Sequence, residues 1–182
     1  MAPLMENVPV QSPARATIRA RTESDADPLV AVLAEVHLSD AYPMMATHVS
    51  REWLFDPGFE AAWVAAIDGI PIGHIAVKRG YGGAAIERAS GRPTAETLGV
   101  TRFFVGKAGR GTGAASALLD AVDNFASERR LALALDVVDF NAAAIAVYEM
   151  RGWMRVGSEV AQWFGPDGPH PTVYLYIGPH SS

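Results

Sequence analysis

The sequence predicts an α/β domain with a mixed β-sheet and helices on both of its faces. Residues 97–125 read as an apolar strand, a tight glycine turn and then a helix. Residues 131–138 (LALALDVV) form a continuous apolar run, which is typical of a strand buried on both faces. The full order of predicted elements, βα(α)ββ, β, α, β, α, ββ, is that of a mixed sheet and not of a doubly wound one.

The composition is that of one globular domain without cysteine chemistry. The 182 residues suit a single domain over residues 15–182, and 49% of the chain is hydrophobic. Residues 1–14 carry three prolines and little periodicity, so we expect a flexible tail there. The absence of cysteine excludes disulfides, a thiol nucleophile and cysteine metal sites, and it favours a cytoplasmic protein.

Charge and hydropathy argue against two classes of partner. A net charge of −5 argues against a general nucleic-acid binder, although local basic residues can still attract an anionic cofactor. No apolar run reaches membrane length, and the first dozen residues lack the basic start and apolar core of a secretion signal. We therefore expect neither nucleic acid nor a membrane among the partners.

Shorter patterns predict the remaining elements. Asp68-Gly69 between two apolar runs indicates a hairpin with a type I′ turn. His74 falls within the second strand of that hairpin, where a satisfied core group is expected more often than a catalyst. Residues 39–57 and 79–94 show no clean period, so we predict loops, the first with a short helix near 50–55 and the second long and mobile. The other predictions are strands at 16–21, 61–67, 72–77, 154–160 and 172–177, and helices ending near 38 and spanning 113–127 and 142–151.

The glycine turn before the helix is a candidate phosphate cradle. Backbone N–H groups at a helix start lack intrahelical partners, and the helix dipole adds roughly half a positive charge there. Gly111 and Gly113 allow a close backbone approach or a positive φ. The cradle comprises Arg110, Gly111, Thr112, Gly113, Ala114, Ala115 and Ser116.

Three kinds of phosphate-binding turn compete for this stretch. The P-loop is excluded because Gly113 is followed by Ala114 and not by lysine. The dinucleotide fingerprint is a near miss, with Ser116 in place of its third glycine and Asp136 roughly where a ribose-binding acid would lie. The third pattern, Arg-x-x-Gly-x-Ala, is satisfied by Arg110, Gly113 and Ala115.

A second block downstream decides between these patterns. Asn141 to Trp153 reads NAAAIAVYEMRGW, with Asn141 as a helix N-cap and Gly152 after the helix end. Together, the two blocks resemble the GCN5-related N-acetyltransferase (GNAT) family, and the clear resemblance covers residues 98–157. It implies a GNAT-like fold, a central mixed sheet flanked by helices, and acetyl-CoA as co-substrate with no metal.

The resemblance also implies how the cofactor lies. Its pantetheine arm is expected to pair with the backbone of Phe103, Phe104 and Val105, where the sheet splays open. Its pyrophosphate is expected on the N–H groups of the cradle, with Ser116 adding a hydroxyl and Arg110 a charge. Asn141 either bonds the pantetheine arm, caps its helix, or does both.

Acyl transfer to an amine poses two proton problems. Only about one part in a thousand of a lysine-like amine is unprotonated at neutral pH, so a base must remove its proton. The departing thiolate, in turn, gains from a proton donor. Tyr148 matches the family's donor tyrosine; the alternative is a core aromatic. Asp136 matches the place of a glutamate base in the ribosomal-protein N-acetyltransferases. The alternatives are a water chain or a residue of the 39–57 loop, where Asp40, Tyr42, His48 and Trp53 are candidates to shape the acceptor pocket.

Three hypotheses of function remain at this stage. The first is an acyl-CoA-dependent N-acyltransferase that moves acetyl to a primary amine of a small molecule or peptide. The second is a non-catalytic acyl-CoA-binding regulatory module, and the third a nucleotide-binding oxidoreductase, in which residues 141–153 have no role. Family members often form dimers, and the strand at residues 172–177 is either a dimer surface or an internal strand. The acidic chain is compatible with a negatively lined pocket for a cationic amine.

Overall fold

The computed structural model describes residues 15–165 and 167–179. The predicted tail at residues 1–14 lies outside this range. The strands are β1 (Thr17–Ala20), β2 (Ala61–Ile67), β3 (Ile70–Arg79), β4 (Thr97–Val105), β5 (Ala132–Val138), β6 (Met154–Val160) and β7 (Thr172–Ile177). The α-helices are α1 (Ala26–Asp40), α2 (Arg51–Leu54), α3 (Ala84–Ser90), α4 (Ala114–Arg129) and α5 (Ala142–Met150).

The strands form one mixed sheet in the order β1-β2-β3-β4-β5-β7-β6. Only β4 and β5 pair in parallel; the other neighbours are antiparallel. One face packs against the apolar side of α4, including Leu118, Leu119 and Val122, and against α5. The other face packs against α1 and α2 through Leu29, Leu33, Leu54 and Phe104. The predicted mixed sheet with helices on both faces is thus confirmed.

The sheet opens between its two central strands. Parallel pairing of β4 with β5 extends only from Thr97 opposite Ala132 to Gly99 opposite Ala134. Beyond that point β5 continues alongside β7, and Asp136 faces Leu175. We call this opening, bounded by residues 100–105 of β4 and 135–138 of β5, the β4–β5 fork.

A β-bulge shapes the β4 side of the fork. His74 of β3 pairs with Phe104 and Ala76 pairs with Thr101, so a single β3 residue faces both Arg102 and Phe103. Arg102 has φ = 53°, a left-handed conformation that non-glycine residues rarely adopt. The bulge therefore redirects the side chain of Arg102 at the point where β4 loses its partner.

One prediction is wrong, and one open alternative is decided. Residues 79–94 are not a continuous loop, because Ala84–Ser90 forms α3 with Ile86 fully buried beneath it. Gly83 and Gly91, both at positive φ, bound this helix, and the glycines around it hid its pattern in the sequence. The strand at residues 172–177 is internal between β5 and β6, so it offers no edge for a dimer. Its apolar character reflects burial on both sides of the sheet.

His74 is the satisfied core group that the sequence predicts. Its side chain is fully buried, Nδ1 donates to the carbonyl oxygen of Arg102 at 2.8 Å, and Nε2 accepts from Nη1 of Arg21 at 3.3 Å. Burial is the main reason that the pKa of His74 is lowered to about 4, and the charges of Arg21 and Arg102 also lower it. The hydrogen bond to the Arg102 carbonyl acts in the opposite direction and raises the pKa. The imidazole is therefore neutral in the folded protein at neutral pH.

This neutral histidine makes stability depend on pH. Between about pH 6.5 and pH 4 the unfolded chain binds a proton that the folded chain does not, so stability falls as the pH falls. The loss attributable to His74 is on the order of 3 kcal/mol over that window. We expect His74→Gln to reduce this pH dependence, measured by urea unfolding at pH 7 and pH 5. An equally steep pH dependence in the variant would contradict the assignment.

Candidate active site

The candidate active site lies at the β4–β5 fork, and Asp136 lies on its β5 side. Ala132, Ala134 and Asp136 share one face of β5, and Ala134 on that face packs with Ile86 of α3. Asp136 thus faces the α1 and α3 side of the sheet, two residues beyond the last β4–β5 pair. No strand covers it on the β4 side.

Tyr81 holds the carboxylate of Asp136. Its hydroxyl donates to Oδ1 of Asp136 at 2.5 Å. Burial raises the pKa of Asp136, and the hydrogen bond from Tyr81 opposes that rise. Gly99 makes the arrangement possible, because a Cβ there would lie 2.6 Å from the ring of Tyr81. The site therefore holds a desolvated carboxylate in a fixed orientation, which suits a proton acceptor.

Tyr148 approaches the fork from the opposite face. It is buried on α5, with ring centroids 6.1 Å from Phe103, 5.6 Å from Trp153 and 6.3 Å from Tyr176. Among the described residues nothing hydrogen-bonds its hydroxyl. Burial raises the pKa of Tyr148, and the nearby Tyr42 and Asp136 raise it further. The phenol therefore keeps its proton at neutral pH, as a donor must.

The cradle at residues 110–116 presents unpaired backbone donors. Gly111 and Gly113 have φ of 73° and 81°, and Gly113 is the N-cap of α4. The first intrahelical bond runs from the N–H of Ala117 to the Gly113 carbonyl at 3.0 Å, so the N–H groups of Ala115 and Ser116 point outward. This geometry suits an anion, and a Cβ on either glycine would meet no heavy atom within 4 Å.

Three side chains expected to bind the cofactor, those of Arg110, Ser116 and Asn141, also have partners within the protein. Arg110 is ion-paired to Asp40 at 2.6 Å, so Asp40 supports the cradle and is not part of the acceptor pocket. The hydroxyl of Ser116 accepts from Arg151 at 2.6 Å and keeps its own proton for donation. Asn141 caps α5 by accepting from the N–H of Ala144 at 3.1 Å. Capping is thereby confirmed, and its amide NH₂ has no hydrogen-bond partner in the described part of the chain.

A pocket of about 360 Å³ lies beside Asp136 on the α1 and α3 side of the sheet. Its lining is mixed in charge and not uniformly acidic. We call it the acceptor pocket; it is lined by Asp56, Phe59, Lys78, Arg79, Gly80, Tyr81, Gly99, Val100, Thr101, Arg102 and Asp136.

Aromatic residues of the 39–57 loop pack behind the wall of this pocket. The indole of Trp53 lies under the guanidinium of Arg102 at 3.9 Å, and His48 stacks on Trp53 at 5.6 Å. Tyr42 packs edge-on against Trp53 at 5.9 Å. Burial raises the pKa of Tyr42, with Arg102 acting in the opposite direction. The loop thus supports the pocket wall, but Trp53, His48 and Tyr42 do not themselves line it.

Comparison with known proteins identifies the family. The family model described as Acetyltransferase (GNAT) family matches residues 28–153, which is more than half of the chain. The chain belongs to the GNAT acetyltransferase family. No curated protein sequence matches it significantly.

Solved structures agree with this GNAT fold at low sequence identity. Ribosomal-protein-S18-alanine N-acetyltransferase from Escherichia coli has a TM-score of 0.66 and 16% identity, with 92% of this chain and 95% of that one covered. Ribosomal-protein-alanine N-acetyltransferase from Brucella melitensis gives 0.64 and 20%, with 88% and 98% covered. Arabidopsis thaliana NAA60 in complex with acetyl-CoA gives 0.67 and 19%, with 89% and 97% covered.

Sequence reasoning missed two residues of this GNAT site. Tyr81 lies in a glycine-rich stretch whose only signal is one aromatic between Gly80 and Gly82. Arg102 interrupts the otherwise apolar strand β4, and this single charged residue is its only signal in the sequence. Within the described part of the chain, no group of three or more metal-ligating side chains is arranged to hold an ion, and no helix is long and apolar enough to span a membrane.

Removing the Tyr81 hydroxyl should change the titration of Asp136. In Tyr81→Phe the carboxylate loses an accepted hydrogen bond that holds its pKa down, so we expect the pKa of Asp136 to rise further. Carbon-13 NMR of the Asp136 carboxyl, assigned with Asp136→Asn, measures this directly. Tyr174→Phe, which removes a hydroxyl that does not bond Asp136, serves as the control. An unchanged or lower pKa in Tyr81→Phe would refute the role of this bond.

Proposed function

We propose that this GNAT protein is an acyl-CoA-dependent N-acyltransferase that transfers acetyl from acetyl-CoA to a primary amine of a small molecule or peptide. The observation that carries the proposal is that Asp136 lies on β5 at the β4–β5 fork and that Tyr148 packs on the opposite face beside Phe103, with ring centroids 6.1 Å apart. The absence of cysteine is compatible with a cytoplasmic location.

The residues at the fork fit an acyl-CoA thioester. On the side that faces β5, the backbone of Phe103, Phe104 and Val105 has no strand partner, so these residues can pair there with an extended pantetheine arm. The outward N–H groups at the start of α4 suit its pyrophosphate, with Gly111, Thr112, Gly113 and Ala114 shaping the turn. Acetyl-CoA would thereby place its thioester between Asp136 and Tyr148.

The two side chains then divide the proton transfers. The amine nitrogen forms a bond to the thioester carbonyl carbon, and the carbon–sulfur bond breaks. Asp136 takes the proton from the amine, directly or through water, because its carboxylate is desolvated and held by Tyr81. The hydroxyl of Tyr148 donates a proton to the departing sulfur. The products are an amide and free CoA, and a proton then passes through solvent from Asp136 to Tyr148, which restores both side chains and balances the turnover.

Calorimetric titration with acetyl-CoA, CoA and NADH tests the proposal first. We expect micromolar binding of acetyl-CoA and CoA and no binding of NADH. An amine panel with detection of released thiol then tests for transfer. Binding without any transfer would favour the non-catalytic acyl-CoA-binding module, and binding of NADH alone would favour the oxidoreductase.

Gly113→Val should weaken CoA binding. A β-branched residue is strained at φ = 81°, and its side chain would project into the open space of the cradle. We expect the dissociation constant for CoA to rise by about tenfold or more. Gly69→Val is a matched control, because Gly69 has the same φ of 81° and the same open surroundings in the distant β2–β3 turn. An equal affinity in Gly113→Val and the parent protein would remove the cradle assignment.

Tyr148→Phe should reduce turnover while leaving CoA affinity nearly unchanged. Loss of a general acid typically costs about 10²-fold or more in rate. Tyr176→Phe is the control, since it removes a neighbouring hydroxyl that bonds Glu149 at 2.8 Å outside the fork. Steady-state thiol release measures both variants. Undiminished turnover in Tyr148→Phe would show that another group protonates the sulfur.

A further inference from the structure

The charged side chains of the acceptor pocket are not all compensated by one another. Lys78 lies 3.8 Å from Asp56, and Arg79 is ion-paired with Glu60. Asp136 bonds only the neutral hydroxyl of Tyr81. Arg102 has no carboxylate within 4 Å in the described part of the chain. The pocket therefore retains one uncompensated negative charge and one uncompensated positive charge.

The guanidinium of Arg102 is fixed in place by neutral groups. It stacks on the indole of Trp53 at 3.9 Å, Nε donates to the Trp53 carbonyl at 3.1 Å, and Nη1 donates to Oγ1 of Thr101 at 3.1 Å. Nη2 has no hydrogen-bond partner among the described residues, and it is not sealed from solvent. One N–H of Nη1 and both of Nη2 are thus left to make a two-pronged contact.

The surroundings of Arg102 strengthen its attraction for an anion. The side chain is half-buried, so burial lowers the pKa of Arg102, with Asp56 and Tyr42 acting weakly the other way. A partly desolvated guanidinium with free paired N–H donors is the side-chain group that recognises a planar carboxylate best.

We propose that the acceptor is a small zwitterion, whose amine lies at Asp136 and whose carboxylate is bound by Arg102. The inference rests on the proposed N-acyltransferase function and narrows its acceptor to amino-acid-like molecules. It differs from a polycationic acceptor, because a second cation in this pocket would face Arg102. The pocket volume of about 360 Å³ is in the range for small-molecule sites.

Paired acceptors test the inference. The probes are the L-α-amino acids and the linear ω-amino acids of three to six carbons, each beside its own carboxamide. Thiol release from acetyl-CoA gives kcat/KM for every pair. We expect at least one amino acid to exceed its carboxamide by about tenfold or more, because the amide lacks the charge that the guanidinium binds. Equal values within the pairs, or faster reaction of the carboxamides, would overturn the inference.

Variants assign that preference to one side chain. Arg102→Gln keeps a donor for the Trp53 carbonyl but removes the charge, so the acid-to-amide ratio should fall towards one. Arg102→Lys keeps the positive charge but lacks the planar guanidinium with its paired N–H donors, so it should give an intermediate ratio. Arg92→Gln removes an exposed arginine that pairs with Glu96 outside the pocket, and it should retain the parental ratio.

The remaining outcomes are also decisive. If Arg102→Gln slows acid and amide equally, Arg102 only supports Trp53 and the inference fails. If Lys78→Gln, and not Arg102→Gln, abolishes the preference, the anion contact is at the rim and the inference fails. If acetyl-CoA binds but no probe is acetylated, the result excludes the zwitterionic acceptor and leaves the proposed function standing. Absence of acetyl-CoA binding defeats the proposed function itself.

Discussion

The parting of β4 from β5 after Gly99 and Ala134 is the constraint on which the rest of the site depends. Backbone donors and acceptors that lose a strand partner must be satisfied by water or by a ligand. The fork therefore creates an extended hydrogen-bonding edge in the centre of the sheet. Asp136 lies beside this gap on one face of the sheet, and Tyr148 packs against Phe103 on the other face.

Burial at the fork favours protonation states that suit the proposed chemistry. It raises the pKa of Tyr148, which keeps the phenol protonated, and it raises the pKa of Asp136, which makes the carboxylate a stronger base. The hydrogen bond from Tyr81 limits the second effect and orients the carboxylate. One local environment thus prepares a donor and an acceptor, because desolvation acts on both acids in the same direction.

The local elements were predictable because their signals are local. The Asp68-Gly69 turn, with φ of 51° and 81°, joins β2 to β3 as its sequence indicates. Asn141 caps α5 as predicted. Helix α3 escaped prediction because its seven residues lie among glycines that resemble a loop. The sequence left the place of β7 open between an edge and an internal position, because the order of strands in a sheet depends on long-range pairing and not on the pattern within one strand.

The same division holds for the site. The sequence by itself determined the glycine cradle and the Asn141 block, because each is a motif of residue types at fixed spacing. The resemblance of these motifs to the GNAT family implied Tyr148 and Asp136 as candidates. Only the tertiary structure decided that Tyr81 bonds Asp136, 55 residues away, and that Arg102 stacks on Trp53, 49 residues away. These contacts depend on where the strands part and on how a bulge turns one side chain. No periodicity along the chain encodes either of them.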